Sequence, residues 1–279
     1  MYHTTVDQVA IYYEVYGQSG SPLLMLTGMG ADIGDWLPEQ IEALSRQHRV
    51  ILIDNRGAGR SDKPTMPYTM TQFAADTVGV LTDLHIDQAH ILGGSLSGMI
   101  AQHVAVTYPE RVSSLILCST TAVAPGHPVF VSPAPEVLMA LTMPPSGNRV
   151  QDIEAGWQLC FTSAFIEQNN ALFNRLRANA LAYPDNPPYA QQLQFEAVVH
   201  SHNLYEQVRQ LRCPTLIQAG TQDLLMPAEN SHTLARLIPG ARLIEYPNCG
   251  HRLIEEGGEP ALNDILAFLA EVDGIAQAG

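Results

Sequence analysis

Two rhythms of hydrophobic and polar positions divide this chain. Short, nearly unbroken apolar runs recur at residues 22–26, 49–53, 90–93, 114–118, 214–220 and 241–246, the pattern of strands covered on both faces. Residues 6–15 read as an opening strand, set off from the run at 22–26 by the turn Gly17-Gln18-Ser19-Gly20-Ser21. Between the runs lie stretches with helical spacing. Residues 38–46 form one. Residues 70–84 form another, with Phe73, Thr77, Val80, Leu81 and Leu84 in step and Thr69 or Thr71 as its cap. A third covers 96–107 and stops before Pro109, and helices over 228–238 and 260–272 follow. Strands alternating with helices predict an α/β fold built on a mostly parallel, doubly wound sheet with right-handed crossovers.

The alternation stops at residue 123. Up to residue 211 no buried strand is evident; Pro125, Pro128, Pro133, Pro135, Pro144 and Pro145 punctuate its beginning, and helical patterns follow at 150–162, 165–182 and 188–210. Roughly 90 residues between two sheet strands are too many for a loop and read as an inserted helical cap. The expected organisation is therefore a core from residues 1–122 and 212–279 and a cap from 123–211.

Composition narrows the class of protein. With 279 residues, 46% hydrophobic and 15% charged, the chain can bury a large core and is incompatible with wholesale disorder. Lys and Arg total 14 against 28 acidic residues, and the net charge of −14 argues against nucleic acid or an anionic membrane as a partner. Cys118, Cys160, Cys213 and Cys249 show no C-x-x-C spacing, so free thiols in a reducing compartment are expected. The N-terminal residues lack a basic stretch followed by an apolar one, and no apolar run reaches the ~18 residues a membrane helix needs. A cytoplasmic protein is the expectation. Oligomeric state stays open, a homo-oligomer included.

The chemistry centres on Gly93-Gly94-Ser95-Leu96-Ser97-Gly98, where a strand runs directly into a helix. A serine at such a bend presents its hydroxyl beside free helix N–H groups. The bend strains the serine backbone, so the residues two before and two after it must be small. That rule selects Ser95, flanked by Gly93 and Ser97, over Ser97, whose following neighbour would be Met99. In doubly wound sheets, ligands gather at the carboxyl ends of the strands. Three further candidates fall there: the small-residue loop Thr27-Gly28-Met29-Gly30, Asp223 and His251.

Taken in order, Thr27-Gly28-Met29-Gly30, the run from Asp54-Asn55-Arg56-Gly57 to Ser61-Asp62, the serine bend, Gly220-Thr221-Gln222-Asp223 and Gly250-His251 resemble an α/β-hydrolase of the capped esterase and lactonase branch. They are most similar to 3-oxoadipate enol-lactonase-like and carboxylesterase-like members. Thr27 stands where such proteins usually carry His, and Ser97 where they usually carry Gly.

The resemblance implies a Ser95, Asp223, His251 triad in that chain order. His251 would take the Ser95 proton and Asp223 would orient the imidazole. The stretch Cys118-Ser119-Thr120-Thr121, where a rival acid would sit, holds no carboxylate. The N–H groups of Met29 and Leu96 would meet the oxyanion. Trp36, Trp157, Phe161 and Phe165 are candidates for the acyl pocket, against plain packing. No cofactor and no metal are implied.

The expected activity is cleavage of small carboxylic esters through an acyl-enzyme. Lactone or enol-lactone hydrolysis, perhydrolase or haloperoxidase-like chemistry and carbon–carbon bond hydrolysis are alternatives, with a lyase a weaker one. A ligand receptor on the same fold is the non-enzymatic alternative. Arg56 and Asp62 are expected to brace loops, Cys249 to pack beneath the His251 loop, and His200-Ser201-His202 to lie on a helix surface rather than bind metal.

Overall fold

The computed structural model describes residues 2–143, 146–182 and 186–274. Pro144 and Pro145 lie outside the described residues. Among the described residues, eight strands form one sheet: β1 (Tyr2–Val6), β2 (Val9–Tyr16), β3 (Pro22–Leu26), β4 (Arg49–Ile53), β5 (Ala89–Gly94), β6 (Val112–Cys118), β7 (Thr215–Gly220) and β8 (Arg242–Tyr246). Their spatial order is β1-β2-β4-β3-β5-β6-β7-β8. β1 and β2 pair antiparallel, as do β2 and β4, and every other pairing is parallel.

The sheet is covered on both faces, as its apolar strands predict. Leu24, Leu26, Ile51, Ile53, Ile91, Leu115, Leu117 and Ile217 face one side, with residues of α2 (Met70–Asp83), α3 (Leu96–Thr107) and α9 (Ala228–Leu237) against them. The alternate positions Leu23, Met25, Val50, Leu52, Leu92, Ile116 and Leu216 face the other side, against α1 (Pro38–Ser45) and α10 (Leu253–Val272). This is the period-two pleat read twice, once for each face. The chain winds outward from β3 to β4 and then returns to place β5 on the far side of β3. The crevice between the ends of β3 and β5 is thus the point where strand order reverses.

Among the described residues, five α-helices lie between β6 and β7: α4 (Pro135–Thr142), α5 (Arg149–Cys160), α6 (Ser163–Gln168), α7 (Asn170–Ala182) and α8 (Pro188–Ser201). The two ends of the segment are tied together by a Val123–Asn203 bridge and by Leu204 N–H donating to Ala122 O at 2.8 Å. Phe161, Phe173 and Leu176 pack with Leu37 in a small cluster of their own, whereas Ala197 and Val198 of α8 join the main core. No helix among the described residues is long and apolar enough to cross a membrane.

Several sequence expectations change here. The stretch 6–15 is a hairpin, because Asp7 (φ 48°) and Gln8 (φ 67°) both adopt the left-handed conformation of a tight two-residue turn. The helix expected at 165–182 is two, since Asn169 leaves helical geometry at φ −121°, ψ 39°. The pattern at 188–210 stops as α8 at Ser201, where His202 turns into the core. α4 forms in the proline-punctuated stretch, with Pro135 at its first position, where the missing N–H costs nothing. The closing helix begins at Leu253 and kinks at Gly258 (φ 57°) before Pro260.

Candidate active site

Ser95 joins β5 to α3 with φ 54° and ψ −125°, a conformation that L-residues adopt only where the surroundings enforce it. Its N–H donates to Cys118 O at 3.0 Å and to Ser119 O at 3.2 Å. Its carbonyl accepts from Met99 N–H at 3.1 Å and from the Thr120 hydroxyl at 2.8 Å. Both flanking peptides are therefore pinned to the end of β6 and to the first turn of α3.

The steric rule holds before the serine and shifts by one after it. A Cβ on Gly93 would overlap the Ser97 carbonyl and lie 2.8 Å from Gly98 N. A Cβ on Gly98 would lie 2.7 Å from Thr120 Cγ2 and 2.9 Å from Gly93 O. Ser97 itself has room. Its hydroxyl donates to Gly94 O at 2.7 Å and accepts from Gly94 N–H at 2.9 Å.

Asp223 and His251 follow β7 and β8 and meet at their ends. His251 Nδ1 lies 3.0 and 2.9 Å from the two carboxylate oxygens of Asp223. Asp223 Oδ1 also accepts from the N–H groups of Leu225 at 2.9 Å and Met226 at 2.8 Å, so the carboxylate cannot swing away. A carboxylate only accepts, which places the imidazole proton on Nδ1 and leaves the lone pair on Nε2.

The two loops are also tied to each other, Gln222 N–H donating to Cys249 O at 2.9 Å. The His251 loop is fastened to the β6–β7 segment as well. Arg252 N–H donates to Cys160 O at 3.0 Å, and the Glu256 carboxylate accepts from Thr162 N–H at 2.9 Å and its hydroxyl at 2.8 Å. The Ser95 hydroxyl makes no hydrogen bond to His251 among the described residues, a contact that commonly tightens only when substrate binds.

The two oxyanion candidates sit on either side of the β3–β5 crevice. Leu96 N–H opens α3 and has no intrahelical acceptor. Neither it nor Met29 N–H has an acceptor among the described residues. Thr27 is held from the core side by Asn55, whose Nδ2 donates to Thr27 O at 2.7 Å. Gly30 is held by Gln194 and Asn186 of the β6–β7 segment. Sequence reasoning missed all three of these side chains. Asn55 lay inside a recognised run, but nothing in the sequence spacing ties residues 186 and 194 to residue 30.

Other predicted residues find different surroundings. Arg56 is buried in a two-point ion pair with Asp76 at 2.6 and 2.7 Å, and Asp62 accepts from Ala10 N–H at 2.8 Å, so both brace loops. Cys249 is buried, and desolvation, with the Glu256 carboxylate nearby, pushes its thiol up to about 11, so it stays protonated and is no rival nucleophile. The four cysteines form no disulfide.

Trp36 packs against the core cluster on the α1–α10 side of the sheet. Trp157 stands edge-on to Phe173 at 4.9 Å. Phe161 stacks on Phe165 at 5.7 Å and meets Phe173 edge-on at 5.1 Å. All four rings have packing partners, with Phe161 buried and Trp36, Trp157 and Phe165 half-buried. His202 is not on the surface as expected. It is buried against His103 at 3.2 Å, with Nε2 donating to Thr121 O at 3.0 Å. Burial pushes both imidazoles well below their ordinary range, which fixes them as a neutral donor–acceptor chain.

A strained serine elbow thus stands at the β3–β5 switch point of a doubly wound sheet, with a carboxylate and an imidazole paired at the ends of the strands two and three places away. The chain belongs to the alpha/beta hydrolase fold family, whose model matches residues 21–258. It is 30% identical over 264 residues to a protein of Azorhizobium caulinodans named as a carbamate hydrolase, RutD, covering 94% of this chain and 96% of that one. Among solved structures it is similar to a thermophilic esterase from Thermogutta terrifontis (TM-score 0.80, 25% identity, 96% and 97% of the two chains). It is likewise similar to the enol-lactonase from Burkholderia xenovorans (TM-score 0.79, 26% identity, 96% and 99%).

Proposed function

We propose that this hydrolase cleaves small carboxylic esters through an acyl-enzyme on Ser95, with the β6–β7 segment acting as a cap over the strand ends. The observation that carries the reading is the His251–Asp223 pair at 2.9 and 3.0 Å, built on the same sheet edge as the strained Ser95. An alcohol is a weak nucleophile until a base takes its proton. The Ser95 oxygen attacks the ester carbonyl carbon while its proton passes to His251 Nε2. The tetrahedral oxyanion turns toward the N–H groups of Leu96 and Met29, each such donor being worth about 2.7–4 kcal/mol in the transition state.

Asp223 holds the imidazolium in place. The intermediate collapses by breaking the bond to the alkoxy oxygen, which leaves as the alcohol with the proton from His251. A water then repeats the sequence on the acyl-Ser95 ester: His251 takes its proton, and the carboxylic acid and free Ser95 are released.

The test is direct. A fluorophosphonate should label the protein at Ser95 and abolish hydrolysis of p-nitrophenyl acetate, and Ser95→Ala should be neither labelled nor active. Full turnover by Ser95→Ala would overturn the reading.

A second reading has a specific observation behind it, the 30% identity across 94% of the chain to a protein named as a carbamate hydrolase. The same residues would attack a carbamate carbonyl and expel an amine or alcohol. Comparing kcat/KM on open esters of graded length, on lactones and on carbamates separates the two.

A further inference from the structure

The two N–H groups facing the proposed oxyanion position rest on unequal supports. Leu96 N–H belongs to the first turn of α3 and is fixed by the elbow. Met29 N–H belongs to a loop leaving β3, and the residue after it, Gly30, sits at φ +69°. Gly30 is gripped on both sides from the β6–β7 segment. Its N–H donates to Gln194 Oε1 at 2.8 Å, and its carbonyl accepts from Asn186 Nδ2 at 2.9 Å.

The opposite ends of these two amides reach a second core loop. Gln194 Nε2 donates to Arg56 O at 2.9 Å, and Asn186 Oδ1 accepts from Gly59 N–H at 3.0 Å. The loop they reach is itself anchored, because the Arg56 side chain is paired with Asp76 of α2.

Gln194 is fully buried on α8, and its amide has one permitted orientation. Reversing it would set an NH₂ group against the Gly30 N–H and a carbonyl against the Arg56 carbonyl. Because peptide units are planar, fixing the N–H and the C=O of Gly30 fixes both peptide planes around it. One of those planes contains the Met29 carbonyl. With Asn55 holding Thr27 O at 2.7 Å, the turn that aims Met29 N–H is clamped at both ends.

We propose that Gln194, assisted by Asn186, is a positioning residue for the oxyanion hole, so that acyl transfer in the core depends on α8 being seated. This rests on the ester-hydrolase reading above. Neither side chain need touch the substrate. Thr27 adds no hold on Met29 or Gly30, since its buried hydroxyl donates within the core, to Ile53 O.

The test uses Gln194→Met, which keeps the side-chain length and removes both polar ends. Two quantities are read: steady-state hydrolysis of p-nitrophenyl acetate, and inhibition by a trifluoromethyl ketone, whose adduct with Ser95 carries an oxyanion. A misaimed donor lowers transition-state binding without touching ground-state binding. The expected result is a fall in kcat of about 10- to 100-fold with KM within about threefold, and a matching rise in the inhibition constant. A residue that only supports the fold would lower Tm while leaving kcat per folded molecule and the inhibition constant in place, and that result overturns the proposal.

Should Gln194→Met fail to fold, Asn186→Ala at its half-buried site carries the test, with the same paired loss expected at about 3- to 10-fold. Unchanged kcat and inhibition in a folded Asn186→Ala would then be fatal to it. A wild-type protein that neither turns over the ester nor is labelled at Ser95 sinks the hydrolase reading itself. An active wild type with indifferent variants sinks the positioning role alone.

Discussion

The two sides of the candidate site are held in opposite ways. On one side, Ser95, Asp223 and His251 are placed by backbone: a strained elbow bonded to the end of β6, and two loops at the ends of β7 and β8 that bond to each other. On the other side, the loop carrying Met29 has one long backbone bond of its own, Ala31 N–H to Gly28 O at 3.3 Å, and is otherwise gripped by side-chain amides from residues 55, 186 and 194. Backbone frames tolerate side-chain change but not added volume. Side-chain clamps tolerate little change at the clamp and leave the rest of the loop free. The contrast predicts where substitutions will act on chemistry and where on stability.

The largest effect should come from Asp223→Asn. The amide would present an NH₂ group or a poorer acceptor to His251 Nδ1, so the imidazole loses the tautomer that frees Nε2. A loss of about 10⁴-fold in kcat is expected, with a Tm shift of a few degrees at most, read by ester hydrolysis and thermal melting on the same sample. If kcat drops only a few-fold, the backbone-held side does not depend on the imidazole's orientation and the triad assignment fails.

Next is Gly93→Ala, which adds one methyl where the Ser97 carbonyl and Gly98 N already stand. Overpacking against backbone has no flexible side chain to absorb it. A destabilisation of about 3 kcal/mol is expected, with fluorophosphonate labelling of Ser95 lost in whatever remains folded. A stable, labelled Gly93→Ala protein would show that the elbow is not sterically enforced.

This same division explains what the sequence made legible. The sheet was readable because strands covered on both faces show as apolar runs, and β3, β4, β7 and β8 fall within a residue of their expected bounds. The Asp7–Gln8 hairpin escaped because its left-handed residues are not the glycine or asparagine that usually mark such a turn.

Ser95, Asp223 and His251 stood out because a strand-to-helix serine and strand-end polar residues are local patterns. Gln194 and His202 were invisible for the reverse reason. Gln194 is on α8 and His202 just past its end, both in a stretch that reads as surface helix, and only tertiary packing shows that one is buried against Gly30 and the other against His103. Trp157 and Phe161 drew attention by composition alone, and only the fold shows that both rings meet Phe173.

The His202 contact allows the side-chain-held region to be probed by pH. Burial depresses His202 to about 4 from an ordinary 6.5. Below pH 6.5 the unfolded chain binds a proton there that the folded chain does not, so stability is lost as pH falls from about 6.5 toward 4. The slope is about 1.4 kcal/mol per pH unit for one group. His202→Gln keeps a donor for Thr121 O and an acceptor for His103 and removes that titration. Between pH 6.5 and 4.5 its stability curve, from urea unfolding, should be flatter than wild type by about that slope. Parallel curves would mean that residue 202 is solvated, and with it the end of α8.

The smallest effect should come from Ser97, a point where the backbone-framed side uses a side chain. Its hydroxyl closes a ring with Gly94, accepting from the N–H and donating to the carbonyl, while the elbow's main constraints lie at Gly93, Gly98 and the β6 end. Ser97→Ala keeps the Cβ that already fits and removes a single buried hydroxyl. It leaves the Gly94 N–H and C=O each short of that one partner, so about 1 kcal/mol of stability should be lost, with kcat within about threefold. Gln194→Met is the opposed case, a remote amide whose removal shows in kcat more than in the melt. If Ser97→Ala instead cost activity as Gln194→Met is expected to, the elbow too would be a side-chain construction, and the difference between the two sides would vanish.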